Sequence, residues 1–214
     1  MPRDLSDAAD GSTAPKTRSR RSRALTPLIL VVLILAGIGA IVWRGAEANR
    51  AAAAAIDELT ELSNNQNLID AIISQNARTR NLTTAEIATL DAQYKQDAQT
   101  GGGIPAEMMQ RPQSQYLKRY TEDATNRIVF IMLMDARGLN VAASRPTTDY
   151  FQGDEDKWLK TYPLGAGAID WSPLERDYVT NRLQYVVSRT VINPRTGDSI
   201  GTLSIAFDKT ALRR

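Results

Sequence analysis

The stretch ALTPLILVVLILAGIGAIVW, Ala24 to Trp43, runs for twenty residues without a charged side chain. As a helix rising about 1.5 Å per residue it is about 30 Å long, the thickness of a bilayer's hydrocarbon core. Pro27 falls in the first turn, where its missing N–H breaks no helical bond. Trp43 suits the far interface. Arg18, Arg20, Arg21 and Arg23 crowd the near side, against Arg44 and Arg50 on the far side. The positive-inside rule then keeps the N-terminus in the cytoplasm and exports residues 44–214. A cleaved signal peptide is the alternative reading, with Ala46–Ala48 as its cleavage tripeptide. The apolar run is longer than the core of about 7–15 residues that such peptides carry, which favours a retained anchor. No second run of this kind follows. Residues 1–23, rich in Arg, Ser, Thr and Asp, read as a disordered cytoplasmic tail.

Composition narrows the chemistry of the exported part. The chain has no histidine and no cysteine. That removes Ser–His–Asp and Cys–His pairs, thiolate nucleophiles, disulfides, and imidazole or thiolate metal ligands. Carboxylates, Lys and Tyr remain, so the expectation is a non-catalytic protein with no cofactor and no metal. The net charge of +2 is uneven, because residues 1–23 hold six basic and three acidic side chains. The folded remainder is slightly acidic, which argues against a nucleic-acid surface.

Residues 46–77 predict one long helix. Ile56, Leu59, Leu62, Ile69, Ile72 and Ile73 recur at helical spacing, and a run of five alanines precedes them. This stripe has two readings, packing onto its own domain or a homodimer seam. LTTAEI starts a second helix: Thr83 as cap, Glu86 reaching back, Leu82 stapled onto Ile87. It runs to about Ala98, and QTGGGIP breaks it. A shorter helix fits Ser114 to Ala124. At Arg127 the period changes. IVFIMLMDARGLNVAAS reads as a strand, a turn carried by Asp135 and Gly138, and a second strand. Near the C-terminus, strands at Leu183–Ile192 and Ser199–Phe207 flank a turn with Pro194 and Gly197. Between the hairpins lies a crossover of nearly forty residues from Pro146 to about Asn181, too long and too aromatic for a linker. The order predicts an α+β layer structure, an antiparallel sheet with long N-terminal helices packed on one side, preceded by one transmembrane helix.

The stretch DYFQGDEDKW in the crossover gathers Asp149, Asp154, Glu155 and Asp156 around three rings. The acids read as metal ligands, as a catalytic pair, or as turn and cap groups. The calcium-loop alternation is missing and no water-activating partner is evident, which favours the structural role. In that role Asp154 caps a helix over Glu155–Tyr162 that turns Trp158 inward. Tyr150, Trp158 and Tyr162 combine an apolar body with a polar tip, as small-molecule pockets prefer; the alternative is that they seal the crossover onto the sheet. Arg189 shares a strand face with Leu183, Tyr185, Val187 and Val191, so it needs a partner or a ligand carboxylate unless it sits on an exposed edge. Trp171 fits a lid or the core.

Residues 127–208 resemble the extracellular Cache sensor domains, also called PDC sensors, which are PAS-like in topology. FIMLMDARGLNVAASR is similar to that family's strand–Asp-x-x-Gly–strand hairpin. TTDYFQGDEDKWLKTYPLGAG is similar to the crossover of its single-unit members. TVINPRTGDSIGTLSIAFD is similar to its closing hairpin. With the anchor and leading helix, the resemblance covers about 160 residues. It implies a helical part over 44–126 and a sheet with crossover over 127–214. It also implies a bacterial periplasmic domain that binds a small molecule, often an organic or amino acid, between sheet and crossover. Asp177 matches an acid of the family that often faces the ligand, and Ser144 with Arg145 stands at the pocket mouth by the same analogy. The ligand-binding expectation is therefore Tyr150, Trp158, Tyr162, Asp177, Arg189 and Ser144. The chain departs from the family's amino-acid-binding Arg-x-Trp-Tyr run with Asp156, Lys157, Trp158 and Leu159. Its partners would be the ligand, the inner membrane, and a signalling protein or a second copy of the chain. A structural adaptor that docks a membrane partner and holds no ligand is the rival reading.

Overall fold

Local side chains set the ends of the helices that open the domain. The computed structural model describes residues 49–211, all in one unit that begins at Gly45. Helix α1 is described over residues 49–63 and α2 over Gln66–Thr79. The uninterrupted helix predicted over 46–77 is thus broken. Asn65 leaves the helix and its side chain accepts from the N–H groups of Asn67 and Leu68, 3.0 and 3.4 Å away. Asparagine favours caps over helix interiors, and Asn64 and Asn65 together tip the balance. Helix α3, Thr84–Thr100, starts with the expected capping box between Thr83 and Glu86. Two helices follow where one was expected: α4, Gly103–Gln110, and α5, Pro112–Asp123. Pro105 does not stop α4, because it lies in the first turn where no N–H is required.

Both hairpins form as predicted. Strands β1, Ile128–Asp135, and β2, Asn140–Ala143, make the first; β5, Leu183–Ile192, and β6, Ser199–Asp208, make the second. The crossover adds a single turn of helix α6, Asp156–Leu159, and a 3-10 turn, Tyr162–Leu164. It also supplies two short strands, β3, Ile169–Trp171, and β4, Glu175–Arg176. The sheet order is β2-β1-β6-β5-β3, with β4 also on β5 and every pair antiparallel.

Strand alternation divides the sheet into two unlike faces. One carries Ile131, Leu133, Val187, Leu203 and Ile205 and buries them against Leu59 and Leu62 of α1, Ile69 and Ile72 of α2, and Leu117 of α5. The α1–α2 stripe is therefore covered by its own domain. Helices α3 and α4 depart from the one-sided layer. Their Ile87, Tyr94 and Met108 pack with Leu139, Ala143 and Tyr150 as a second cluster beside β2, because the aromatic start of the crossover needs a cover of its own. On the remaining face β5 and β6 turn hydroxyls toward the crossover. Ser188 and Ser204 bond at 2.8 Å, and Thr161 of the crossover meets Thr202 at 2.9 Å.

Among the described residues no helix is long and apolar enough to cross a membrane. The tail 1–23 and the run Ala24–Trp43 lie outside the described residues.

Candidate functional site

A cavity of about 370 Å³ separates this hydroxyl-bearing face from the crossover. Its floor is Phe130 and Met132 of β1, Gln184 and Val186 of β5, and Ser204 and Ala206 of β6. Its walls are Thr147–Asp149 with Gln152 on one side and Glu175–Val179 on the other, and Arg145 reaches in from the end of the first hairpin.

Arg145 and Asp177 dominate the electrostatics. The guanidinium lies over the Phe130 ring, 4.4 Å from its centroid, a cation–π distance. Its Nη2 donates to Asp177 Oδ2 at 2.5 Å. The other oxygen of Asp177 accepts from the N–H and hydroxyl of Thr180 at 2.6 and 2.7 Å. Burial pushes the Asp177 carboxyl up, but the Thr180 bonds and the Arg145 charge outweigh it and hold the group below the usual carboxylate range. Asp177 is thus an anion at neutral pH. Two buried polar atoms of lining residues have no partner: Arg145 Nε, a donor, and Gln184 Oε1, an acceptor. The cavity therefore offers a charged pair, Arg145 and Asp177, beside the Phe130 ring.

The six expected ligand residues do not come together. Asp177 lines the cavity. Tyr150 is buried beside α3, its ring stacked on Tyr94 at 5.6 Å. Trp158 stacks on Tyr162 at 5.1 Å and donates from Nε1 to the Asp135 carbonyl at 3.1 Å. With Phe151 and α3 it borders a separate cleft of about 430 Å³. Ser144 is buried in the first hairpin, where its hydroxyl accepts from Ile131 N–H at 3.0 Å. Arg189 lies on the helix-covered face and donates to Thr60 Oγ1 of α1 at 2.6 Å. Strand parity already separated it from Gln184 and Val186, because odd and even positions of β5 face opposite ways. The lining residues missed on the sequence, Phe130, Gln184 and Ser204 among them, follow from the same parity applied to all three strands.

Three acids of the stretch DYFQGDEDKW make local pairs, and two of them, Asp149 and Glu155, also line the cavity. Asp149 accepts from the Gln152 side chain. Glu155 pairs with Lys157 at 2.8 Å and Asp156 with Lys160 at 2.7 Å. Asp154 is not the cap of α6: the helix is capped by Glu155 without a side-chain bond and ends at Leu159. A four-residue helix is what remains because Thr161 takes the carbonyls of Lys157 and Trp158 and turns the chain toward Thr202.

No family model matches this chain, and no curated protein matches it. Solved structures do. The extracellular domain vpHK1S-Z8, assigned to a histidine kinase, superposes with a TM-score of 0.51 at 12% identity, over 86% of this chain and 61% of that one. The fold is that of the Cache sensor domains. The sensor domain of the Vibrio cholerae histidine kinase DctB gives a TM-score of 0.44 at 15% identity, over 81% and 58% of the two chains. The sensory domain of the Campylobacter jejuni chemoreceptor Tlp3 with isoleucine bound gives 0.35 at 14%, over 77% and 64%. The chain thus spans about three fifths of the length of the first two structures. At 12% identity the superposition on vpHK1S-Z8 shows the fold alone and leaves ligand and pathway to the site itself.

Proposed function

We propose that this chain is the non-catalytic input domain of a bacterial signalling system. The run Ala24–Trp43 holds it at the inner membrane and the Cache domain stands in the periplasm. It binds a small organic acid in the cavity between sheet and crossover. The observation that carries this reading is the Arg145 guanidinium in the cavity wall. Arg145 lies over the Phe130 ring and pairs with the Asp177 carboxylate. A guanidinium at a cavity wall is suited to a ligand carboxylate, which would share it with Asp177.

The route outward runs through the floor strands. On the opposite face β1 leads from Arg127, which pairs with Glu58 of α1 at 2.5 Å, and β5 carries Arg189, bonded to Thr60. A ligand that draws the crossover onto β1 and β5 therefore acts on two strands that grip α1. It shifts that helix only by its difference in affinity for the two arrangements, typically a few kcal/mol.

Thermal unfolding of the full chain in detergent, screened against small organic acids, tests the proposal. A ligand at about 100 times its dissociation constant adds about 2.7 kcal/mol of stability. The expected result is such a shift with at least one acid, lost in Arg145→Ala and kept in Trp158→Phe. A library that shifts nothing, or a shift that survives Arg145→Ala, overturns it.

A further inference from the structure

Among the described residues, every large apolar side chain left exposed lies between 159 and 179, in the crossover. The run ends at a tip between β4 and β5, where Tyr178 is 99% and Val179 63% exposed. Single exposed rings are ordinary on protein surfaces. This pair differs because hydrogen bonds fix the loop that presents it at the rim of the cavity. Asp177 N–H donates to the Arg182 carbonyl at 2.8 Å and Asn181 N–H to the Asp177 carbonyl at 2.9 Å. The Asp177 carboxylate takes Thr180, and the Arg176 guanidinium donates to the Asn181 carbonyl at 2.8 Å. Asn181 accepts a left-handed φ of 59° to close the turn.

The position of the tip says what it meets. It lies at the end of the sheet where β5 begins and β6 finishes, with Gln184 opposite Asp208. Arg182 donates to the Asn126 carbonyl just before β1. Helix α1 enters from that same end: Glu58 pairs with Arg127, whereas Gln75 and Asn76 of α2 reach Asp135 and Ile200 at the opposite end. The chain ahead of α1 is the apolar run that finishes at Trp43. We propose that Tyr178 and Val179 form a second lipid contact, dipping into the interface of the bilayer that the run Ala24–Trp43 crosses. Tyrosine suits that boundary, ring among the upper acyl chains and hydroxyl among the headgroups. The inference rests on reading that run as a membrane anchor.

The test uses the full chain in vesicles of phosphatidylethanolamine and phosphatidylglycerol. The chain has no cysteine, so Val179→Cys, Thr196→Cys and Leu35→Cys each carry a single environment-sensitive NBD label. Lipids brominated on the upper acyl chain quench a label at the interface, and lipids brominated deep in the chain quench one in the core. The expected result is loss of most emission for V179C with the shallow bromines and for L35C with the deep ones. T196C, in the turn at the far end of the sheet, keeps its emission. If L35C is quenched and V179C is not, the tip contact is wrong and the anchor stands. If V179C alone is quenched, the tip contact stands and the anchor is wrong; if neither is, both fall. A V179C label that shifts to the blue without quenching, more so at higher protein density, reports a second copy on the tip and also overturns the proposal.

Discussion

Asp135 is the residue on which the first hairpin, α2 and the crossover converge. It is fully buried. One carboxylate oxygen accepts from the N–H groups of Arg137 and Leu139 at 2.8 and 2.9 Å. The other accepts from Gln75 Nε2 at 3.0 Å and Thr79 Oγ1 at 2.8 Å. Those four donors fill the acceptor sites of its two oxygens. Asp135→Ala strands all of them in a dry site, so the variant loses about 3 kcal/mol or more in urea denaturation. A loss below about 1 kcal/mol would contradict this account of the turn. The turn itself was legible, since an aspartate three residues before Gly138 is a local pattern. Its grip on Gln75 and Thr79 was not, because nothing in a linear sequence pairs residues some sixty positions apart. The same limit governs the candidate site. Asp177 was found by its likeness to a known pattern, whereas Gln184 and Phe130 join it only once three strands are laid side by side. Asp177 also holds the tip through Thr180, so the cavity and the exposed Tyr178 share one side chain.

At the scale of elements, the close approach of two glycines fixes how the crossover leaves the first hairpin. Gly138 has φ of 76°, and a Cβ there would collide with the backbone of Gly153. Gly197, in the turn of the second hairpin, has φ of 79° with open space around it. Gly138→Ala therefore combines a conformational and a steric penalty, about 3 kcal/mol, against about 1 kcal/mol for Gly197→Ala. Thermal unfolding of the two variants side by side checks the difference, and equal losses would rule out the collision. Hairpins and capped helix starts were readable because turn residues and capping boxes act within a few positions. The break at Asn65 and the presence of α4 were not. In both cases a residue type that disfavours helix interiors sits instead at a helix start, where it is welcome, and pattern alone does not separate the two placements. The short strands β3 and β4 were unreadable for a different reason: they are edge pieces that exist because β5 offers them partners.

For the whole molecule, titration behaviour follows from a few anions and from what is missing. Burial pushes Asp91, Asp177 and Asp208 up. Bonds and charge from Lys95, Thr180 with Arg145, and Thr210 with Arg182 outweigh it and leave all three below the ordinary value. A carboxylate depressed in the folded state contributes stability that is complete above its unfolded value of about 3.9 and is lost as pH falls through the folded one. With no histidine in the chain, no side chain of ordinary pKa changes charge between about pH 5 and 8. The denaturation midpoint should therefore be flat across that range and fall below about pH 4; a step near pH 6.5 would contradict this. The strand order carries a different implication. Among the described strands β6 comes last in the sequence, yet it lies between β1 and β5 at the centre of the sheet. Neither hairpin can join the other until β6 is made, so the layer closes late and through contacts between residues far apart in the sequence.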